Sequence, residues 1–306
     1  MKTSMERIAF RRSQLLTIVL ICIAAVVGTW AYLTGAALPD DTPPLTPWSV
    51  LILIAVGTMA GILGGLIGTG GCSIMLPILH FWLGYPAPVA IGTTLFAVIF
   101  TATSGGHGHL IRGNIDRSAA MWLGGFGLIG ILIGSWLFTI LASQVALLGL
   151  ILGMAFILPA LRMIWEGSRP AEQPQKVGEM IQGSRYRMGV FGIIIGVLTG
   201  IVGLGGGYAL VPGLIYLFGA PVYLTMGTSL LTMIPLALVG GTIKLAQGFV
   251  ALVAAVTMGA GSTVGARFAA SIIRRFKPTQ LKLLFGIYFL YVSLKFILGY
   301  FGIMIW

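Results

Sequence analysis

Two glycine clusters are the parts of this sequence best suited to chemistry: Gly68-Thr69-Gly70-Gly71-Cys72 and Gly203-Leu204-Gly205-Gly206-Gly207. Each adjoins an apolar segment too short for a full membrane crossing. A helix starting directly after such a cluster aims unpaired N–H groups and a partial positive charge into the protein, which is an anion-binding device. Glycine supplies the backbone angles and the close approach that such a buried turn needs. Plain helix packing through small residues is the other reading of one cluster alone; a second copy favours binding. Thr93-Thr94 and Thr228-Ser229 lie near the starts of the following helices, where hydroxyls either bond substrate oxygens or cap and back-bond the helix. His109 and Lys244 each stand four residues after the first glycine of a Gly-Gly pair. With Arg112 they are candidate entrance cations for an anion; the alternative is that Lys244 snorkels to the interface and His109 is a polar loop residue. Lys295 reads as a snorkelling lysine and His80 as an interfacial histidine. Cys72 stands where the second cluster has Gly207, and serves either the turn or packing.

The acids are informative by their placement. All seven carboxylates, Glu6, Asp40, Asp41, Asp116, Glu166, Glu172 and Glu179, fall in the N-terminal tail or in loops. Cations within the spans therefore lack an internal carboxylate partner, and a bound anion would supply the missing charge. The same distribution argues against a cation channel and against a proton relay of Asp or Glu. The sequence contains no His-Glu-x-x-His, no paired intramembrane aspartates and no Gly-x-Ser-Gly, so the chain does not read as an enzyme. His107 and His109 with Cys72 and His80 are too few ligands for a metal centre, and no cofactor is implied. Two cysteines, Cys22 and Cys72, far apart and in apolar surroundings, support no disulfide framework.

These residues must be held by membrane spans. With 58% hydrophobic and 8% charged residues and a mean hydropathy of +1.02, the 306 residues cannot build a water-soluble surface. Apolar runs recur throughout, which predicts a polytopic all-α membrane protein with segments near 15–33, 48–67, 70–84, 88–110, 118–140, 143–164, 187–203, 207–219, 222–246, 249–272 and 279–302. The net charge of +11 is concentrated in short segments: Lys2, Arg7, Arg11 and Arg12; Arg162, Arg169, Lys176, Arg185 and Arg187; Arg267, Arg274, Arg275, Lys277 and Lys282. That is the positive-inside pattern rather than a nucleic-acid surface, and it predicts a cytoplasmic N-terminus with the 165–186 and 273–278 loops on the same side. The first span is expected to be a retained anchor rather than a cleaved signal peptide.

An internal repeat organises the rest. Residues 61–115 align without a gap on 196–250, an offset of 135, with nineteen of fifty-five positions identical. The shared positions form a Gly/Pro skeleton: Gly68, Gly70, Gly71, Pro77, Gly84, Pro86 and Gly92 recur as Gly203, Gly205, Gly206, Pro212, Gly219, Pro221 and Gly227. Five segments separate the copies, and an odd number reverses direction, so the expected fold is two inverted-topology repeats of about five helical segments each, with short broken or hairpin helices. The expected organisation is an N-terminal anchor helix and external loop (1–47), repeat one (48–164), a cytoplasmic linker (165–186) and repeat two (187–306).

Gly61-Ile-Leu-Gly-Gly-Leu-Ile-Gly-Thr-Gly-Gly, Pro77, Ala90-Ile-Gly-Thr-Thr94 and His109-Leu-Ile-Arg-Gly-Asn-Ile-Asp116 resemble the first half of the sulfite exporter TauE/SafE family. Gly200-Ile-Val-Gly-Leu-Gly-Gly-Gly, Pro212, Gly227-Thr-Ser and the stretch from Lys244 to Gly248 resemble its second half. The resemblance covers about residues 50–302 and implies a plasma-membrane permease, an exporter, for sulfite, sulfonates or similar anions. The combined expectation is an alternating-access carrier in which the two glycine turns cradle the anion. An anion channel and a non-transporting sensor or scaffold are the alternatives. The expected partners are a small anionic substrate and the lipid bilayer; a homo-oligomer is compatible with the sequence, and nucleic acid is not expected.

Overall fold

The computed structural model describes residues 4–35, 39, 42–168, 180–181, 183–272 and 278–303. Among the described residues the chain is helical throughout, with no strand. The helices are α1 (Ser4–Thr34), α2 (Pro47–Ile67), α3 (Cys72–Pro77), α4 (Ala87–Ile111), α5 (Arg117–Leu141), α6 (Val145–Gly167), α7 (Arg185–Val202), α8 (Gly207–Leu217), α9 (Val222–Ala246), α10 (Leu252–Ile272) and α11 (Pro278–Tyr300). A π-helical turn, Ile78–Trp82, extends α3. Seven of the helices are long and apolar enough to cross a membrane. Asp40, Asp41, Arg169, Glu172, Lys176, Glu179, Arg274, Arg275 and Lys277 lie outside the described residues.

Local chemistry sets the helix ends. Thr46 caps α2 by accepting from the Ser49 N–H at 3.1 Å, the Ser49 hydroxyl accepts from the Thr46 N–H in return, and Pro47 opens the helix with φ already suited to it. Asp116 caps α5, its Oδ1 accepting from the Ala119 N–H at 3.0 Å. Its Oδ2 accepts from the Ile181 N–H at 2.7 Å, which ties the segment before α7 to the start of α5. Both α2 and α7 stop at a left-handed glycine, Gly68 (φ 82°) and Gly203 (φ 69°).

The two halves of the chain pack into each other. In the first half α2 packs on α10 of the second, and α7 of the second half packs on α5 of the first. The helices α4 and α9 pair centrally, α6 pairs with α11, and α1 leans on α10 and α4. Lipid is as apolar as a leucine side chain, so helix association has to come from close van der Waals contact, and small residues provide it. Gly57 and Gly61 of α2 press on the backbone of Met258 and Ser262, and Gly192 and Gly196 of α7 press on that of Leu123 and Gly127. These two sets of contacts correspond at the offset of 135. The outer face of α5 carries Leu132, Trp136 and Ile140 exposed, as a lipid-facing surface requires.

The seams carry a direct expectation. A Cβ on Gly61 or Gly196 would overlap backbone that cannot yield, whereas one on Gly125 meets nothing within 4 Å. Gly61→Leu and Gly196→Leu should each cost about 1–3 kcal/mol or more through overpacking and lower the melting temperature of the detergent-solubilised protein. Gly125→Leu should melt like the parent; equal melting of all three variants would contradict the packing described.

Candidate functional site: where the two glycine turns meet

The turns after α2 and α7 are built alike. Gly68, Gly70 and Gly71 have φ of 82°, 74° and 75°, and Gly203, Gly205 and Gly206 have 69°, 65° and 79°. Three left-handed residues in four reverse the chain at once, a path that side-chain-bearing residues resist. The N–H groups of Gly68 and Thr69 return to the Gly64 carbonyl, and that of Gly203 to the Thr199 carbonyl. The next N–H groups, of Gly70 and Gly71 and of Gly205 and Gly206, donate to no acceptor among the described residues. Each set sits at the start of the short helix that follows, α3 or α8.

The turns also touch. A Cβ on Gly207 would lie 2.5 Å from Thr69 Cα, and the Cys72 thiol lies against the carbonyl oxygens of Thr69, at 3.1 Å, and of Leu204. Thr69 and Leu204 correspond in the repeat, as do Cys72 and Gly207, so these are two versions of one contact. Gly70 and Gly205 both face the ε-methyl of Met233 and Val98 Cγ1, themselves a corresponding pair. Met233 is fully buried and fills the space between the turns.

The hydroxyls divide into two kinds. Thr93 Oγ1 accepts from the Ala251 N–H at 2.9 Å and Thr228 Oγ1 accepts from the Asp116 N–H at 2.9 Å. Both therefore tie down the start of a neighbouring helix, α10 or α5, again in matching positions. Ser229 Oγ donates to the Gly68 carbonyl at 2.8 Å and so reaches the first turn from α9. Thr94 Oγ1 is fully buried without a partner, and so are Ser73 Oγ and Thr199 Oγ1. A buried hydroxyl that bonds to nothing is a cost the fold would normally avoid.

Of the three entrance cations, two are inside the protein. His109 is fully buried in the last turn of α4, with Nε2 3.2 Å from the Gly65 carbonyl oxygen, so Nε2 carries the proton and Nδ1 is left without a partner. Lys244 is fully buried in the last turn of α9, its Nζ 3.1 Å from the centre of the Phe138 ring and without a hydrogen-bond acceptor. Arg112 alone is exposed, its Nη1 donating to the Gly108 carbonyl at 2.7 Å. The alternative reading of Lys244 as a snorkelling residue is not what the structure shows, because its side chain turns inward onto an aromatic face. His80 stacks on Phe296 and places Nδ1 2.9 Å from the Tyr85 carbonyl, which is a satisfied structural histidine. Lys295 lies over the Phe81 ring at 4.6 Å. No group of three or more metal-ligating side chains occurs among the described residues.

Known proteins match this chain over most of its length. The family model described as Sulfite exporter TauE/SafE matches residues 52–296. The "Probable membrane transporter protein YdhB" of Bacillus subtilis (strain 168) is 29% identical over 232 residues, covering 76% of this chain and 94% of the relative. The "Probable membrane transporter protein YunE" of the same organism is 26% identical over 270 residues, covering 81% and 97%. A "Probable membrane transporter protein" of Xylella fastidiosa (strain 9a5c) is 30% identical over 191 residues, covering 61% and 70%. No solved structure matches.

The two kinds of hydroxyl separate stability from transport. Thr93→Val and Thr228→Val each strand a buried backbone N–H and should destabilise by about 1–3 kcal/mol, seen as lowered melting temperatures of similar size. Thr94→Val removes a hydroxyl that has no partner and should leave melting unchanged while reducing solute flux in proteoliposomes. Normal flux in a stable Thr94→Val protein would remove Thr94 from the site.

Proposed function

We propose that this chain, which belongs to the sulfite exporter TauE/SafE family and is therefore a membrane transporter, carries small sulfur oxyanions such as sulfite or organosulfonates by alternating access. The observation that carries the reading is the meeting of two glycine turns, with the N–H groups of Gly70, Gly71, Gly205 and Gly206 unspent, in a region of sequence without a carboxylate. Backbone N–H groups at helix starts bind oxyanions without adding a fixed charge, and so can release them again. The unpartnered hydroxyl of Thr94 stands on a helix that flanks the turns and adds a donor, whereas that of Ser229 is spent on the Gly68 carbonyl and fixes the first turn. The Cys72 thiol and Gly207 narrow it where the turns touch. Met233, now between the turns, must withdraw for an anion to enter.

The repeat supports the alternating cycle. Two halves with the same skeleton can exchange conformations, and if their topology is inverted the exchange swaps which side of the membrane the site faces. Arg112 at one end and Lys244 at the other then draw the anion toward the site, whereas His109, an expected entrance cation, is buried and bound to the Gly65 carbonyl. With the interior of the cell negative, the membrane potential favours outward movement of an anion by about 2.3 kcal/mol per charge per 100 mV, so export needs no coupling ion. Orientation follows the basic segments, which put the N-terminus and the 165–186 linker in the cytoplasm of the plasma membrane.

The test is uptake of labelled sulfite by proteoliposomes of the full chain, with sulfonate and sulfate as competitors. A carrier gives saturable flux and counterflow, and both should vanish in Gly206→Leu, whose side chain would meet Ile195 and Thr199 at a backbone of φ 79°. Flux without saturation or counterflow would show a channel. Normal flux in both Gly70→Leu and Gly206→Leu would remove the site from the turns, and absence of flux for every oxyanion would favour a sensor or scaffold.

A further inference from the structure

Lys244 stands in surroundings that do not complete its chemistry. Its ammonium is fully buried and has no hydrogen-bond acceptor among the described residues. Two further polar atoms nearby are in the same position. Ser135 Oγ, on α5 one turn before Phe138, is buried without a partner. Gln247, three residues after Lys244, donates from Nε2 to the Ser135 carbonyl at 3.4 Å and leaves Oε1 without a partner. The three groups belong to one cluster, because Lys244 Nζ lies on the Phe138 ring and Gln247 bridges to Ser135. Around them are Gly92 of α4, against Lys244 Cβ, and Phe249, which packs edge-on to Phe138 with ring centres 5.2 Å apart.

Among the described residues no acid completes the cluster from within. The described carboxylate on α5 is Asp116, at the opposite end of that helix, about 33 Å away at 1.5 Å per residue. Both of its oxygens are already bonded, to the N–H groups of Ala119 and Ile181. Glu166 of α6 pairs with Arg162 at 3.2 Å. Buried cations are otherwise found paired, and among the described residues Lys244 has no such partner.

We propose that Lys244 and Ser135, with Gln247 bracing the Ser135 backbone, form a second anion subsite, which the Phe138 ring closes in this conformation. The proposal rests on the anion-transport reading and adds to it a place outside the glycine turns. The ligand class is a small oxyanion, taking hydrogen bonds from the ammonium and the Ser135 hydroxyl. The face of Phe138 holds the ammonium while the subsite is empty, and a weak cation–π contact gives way to a charge-assisted hydrogen bond. The subsite belongs to one half only. At the offset of 135, Lys244 and Gln247 correspond to His109 and Arg112, and in sequence Ser135 and Phe138 fall on Ala270 and Ile273, residue types with neither a hydroxyl nor a ring. One end of the path thus presents an exposed cation, Arg112, and the other a cation under an aromatic cover.

Two substitutions of opposite sign test this. In proteoliposomes of the full chain, half-saturation for labelled sulfite should rise about tenfold or more in Lys244→Met, which keeps the bulk without the charge. Lys244→Arg should recover most of the loss. Phe138→Leu should lower half-saturation, because the competitor for the ammonium is gone, and Lys244→Met should abolish that gain in the double variant. A merely structural role for either side chain moves both variants the same way. Ser135→Ala, a small change to the fold, should raise half-saturation as Lys244→Met does and serves if the lysine variant fails to fold. Unchanged half-saturation in Lys244→Met, or in Ser135→Ala, or a rise in Phe138→Leu, overturns the subsite. If Gly206→Leu has lost flux in the same preparation, the turns still stand as the transport site; if wild type itself shows no saturable flux of sulfite, sulfate or methanesulfonate, both readings fall.

Discussion

A backbone that breaks inside a membrane must be enclosed by protein, because hydrocarbon offers no partner for a free N–H or C=O. Here α2 and α7 end at Gly68 and Gly203, and the chain turns through three left-handed glycines on each side before the short helices begin. The rest of the structure follows from housing those turns. They lie against each other, so that Cys72 meets Leu204 and Gly207 meets Thr69, and they are walled by α4 and α9. The outer helix pairs, α2 with α10 and α5 with α7, close at glycine contacts tight enough to hold that arrangement without a hydrophobic drive. The enclosure leaves the N–H groups of Gly70, Gly71, Gly205 and Gly206 without an acceptor among the described residues, and the proposed anion site rests on that.

The near-equivalence of the halves makes their differences meaningful. Thr93 and Thr228 perform the same task, each accepting from the backbone at the start of a helix. Thr94 and Ser229 do not: the serine is bonded to the first turn and the threonine is unpartnered. His109 holds the Gly65 carbonyl, whereas Lys244 faces the Phe138 ring. Met233 is large where Val98 is small, and its methyl crowds both turns more closely than Val98 Cγ1 does. A carrier built of two identical halves would favour neither side of the membrane; these substitutions are where a preference can enter.

Much of the architecture was legible in the sequence because it is a matter of length and punctuation. The expected spans at 118–140 and 222–246 coincide within a residue or so with α5 (Arg117–Leu141) and α9 (Val222–Ala246), since apolar run and flanking breakers are local signals. The glycine clusters were recognisable as turns for the same reason. Partners brought together by tertiary packing were not legible. Hydropathy gives no sign that Thr93 is engaged with Ala251, that Met233 sits between the turns, or that Asp116 reaches Ile181. Lys244, four residues from a Gly-Gly pair near a helix end, reads in sequence as either an entrance cation or a snorkelling one, and only the packing of α5 shows it turned onto Phe138. The π-helical turn at Ile78–Trp82, following Pro77, was also hidden, because a proline removes one backbone donor without saying how the chain will absorb the loss.

The central claim is that the anion sits between the two glycine turns, and Cys72 is a native reporter at their contact. With Cys22 replaced by serine, Cys72 is the remaining thiol, fully buried beside Leu204. The measurement is its rate of reaction with N-ethylmaleimide in proteoliposomes as the sulfite concentration is raised. The account predicts slow labelling that sulfite suppresses further, with a midpoint equal to the half-saturation of transport. A labelling rate indifferent to sulfite at concentrations that saturate flux would place the anion elsewhere and contradict it.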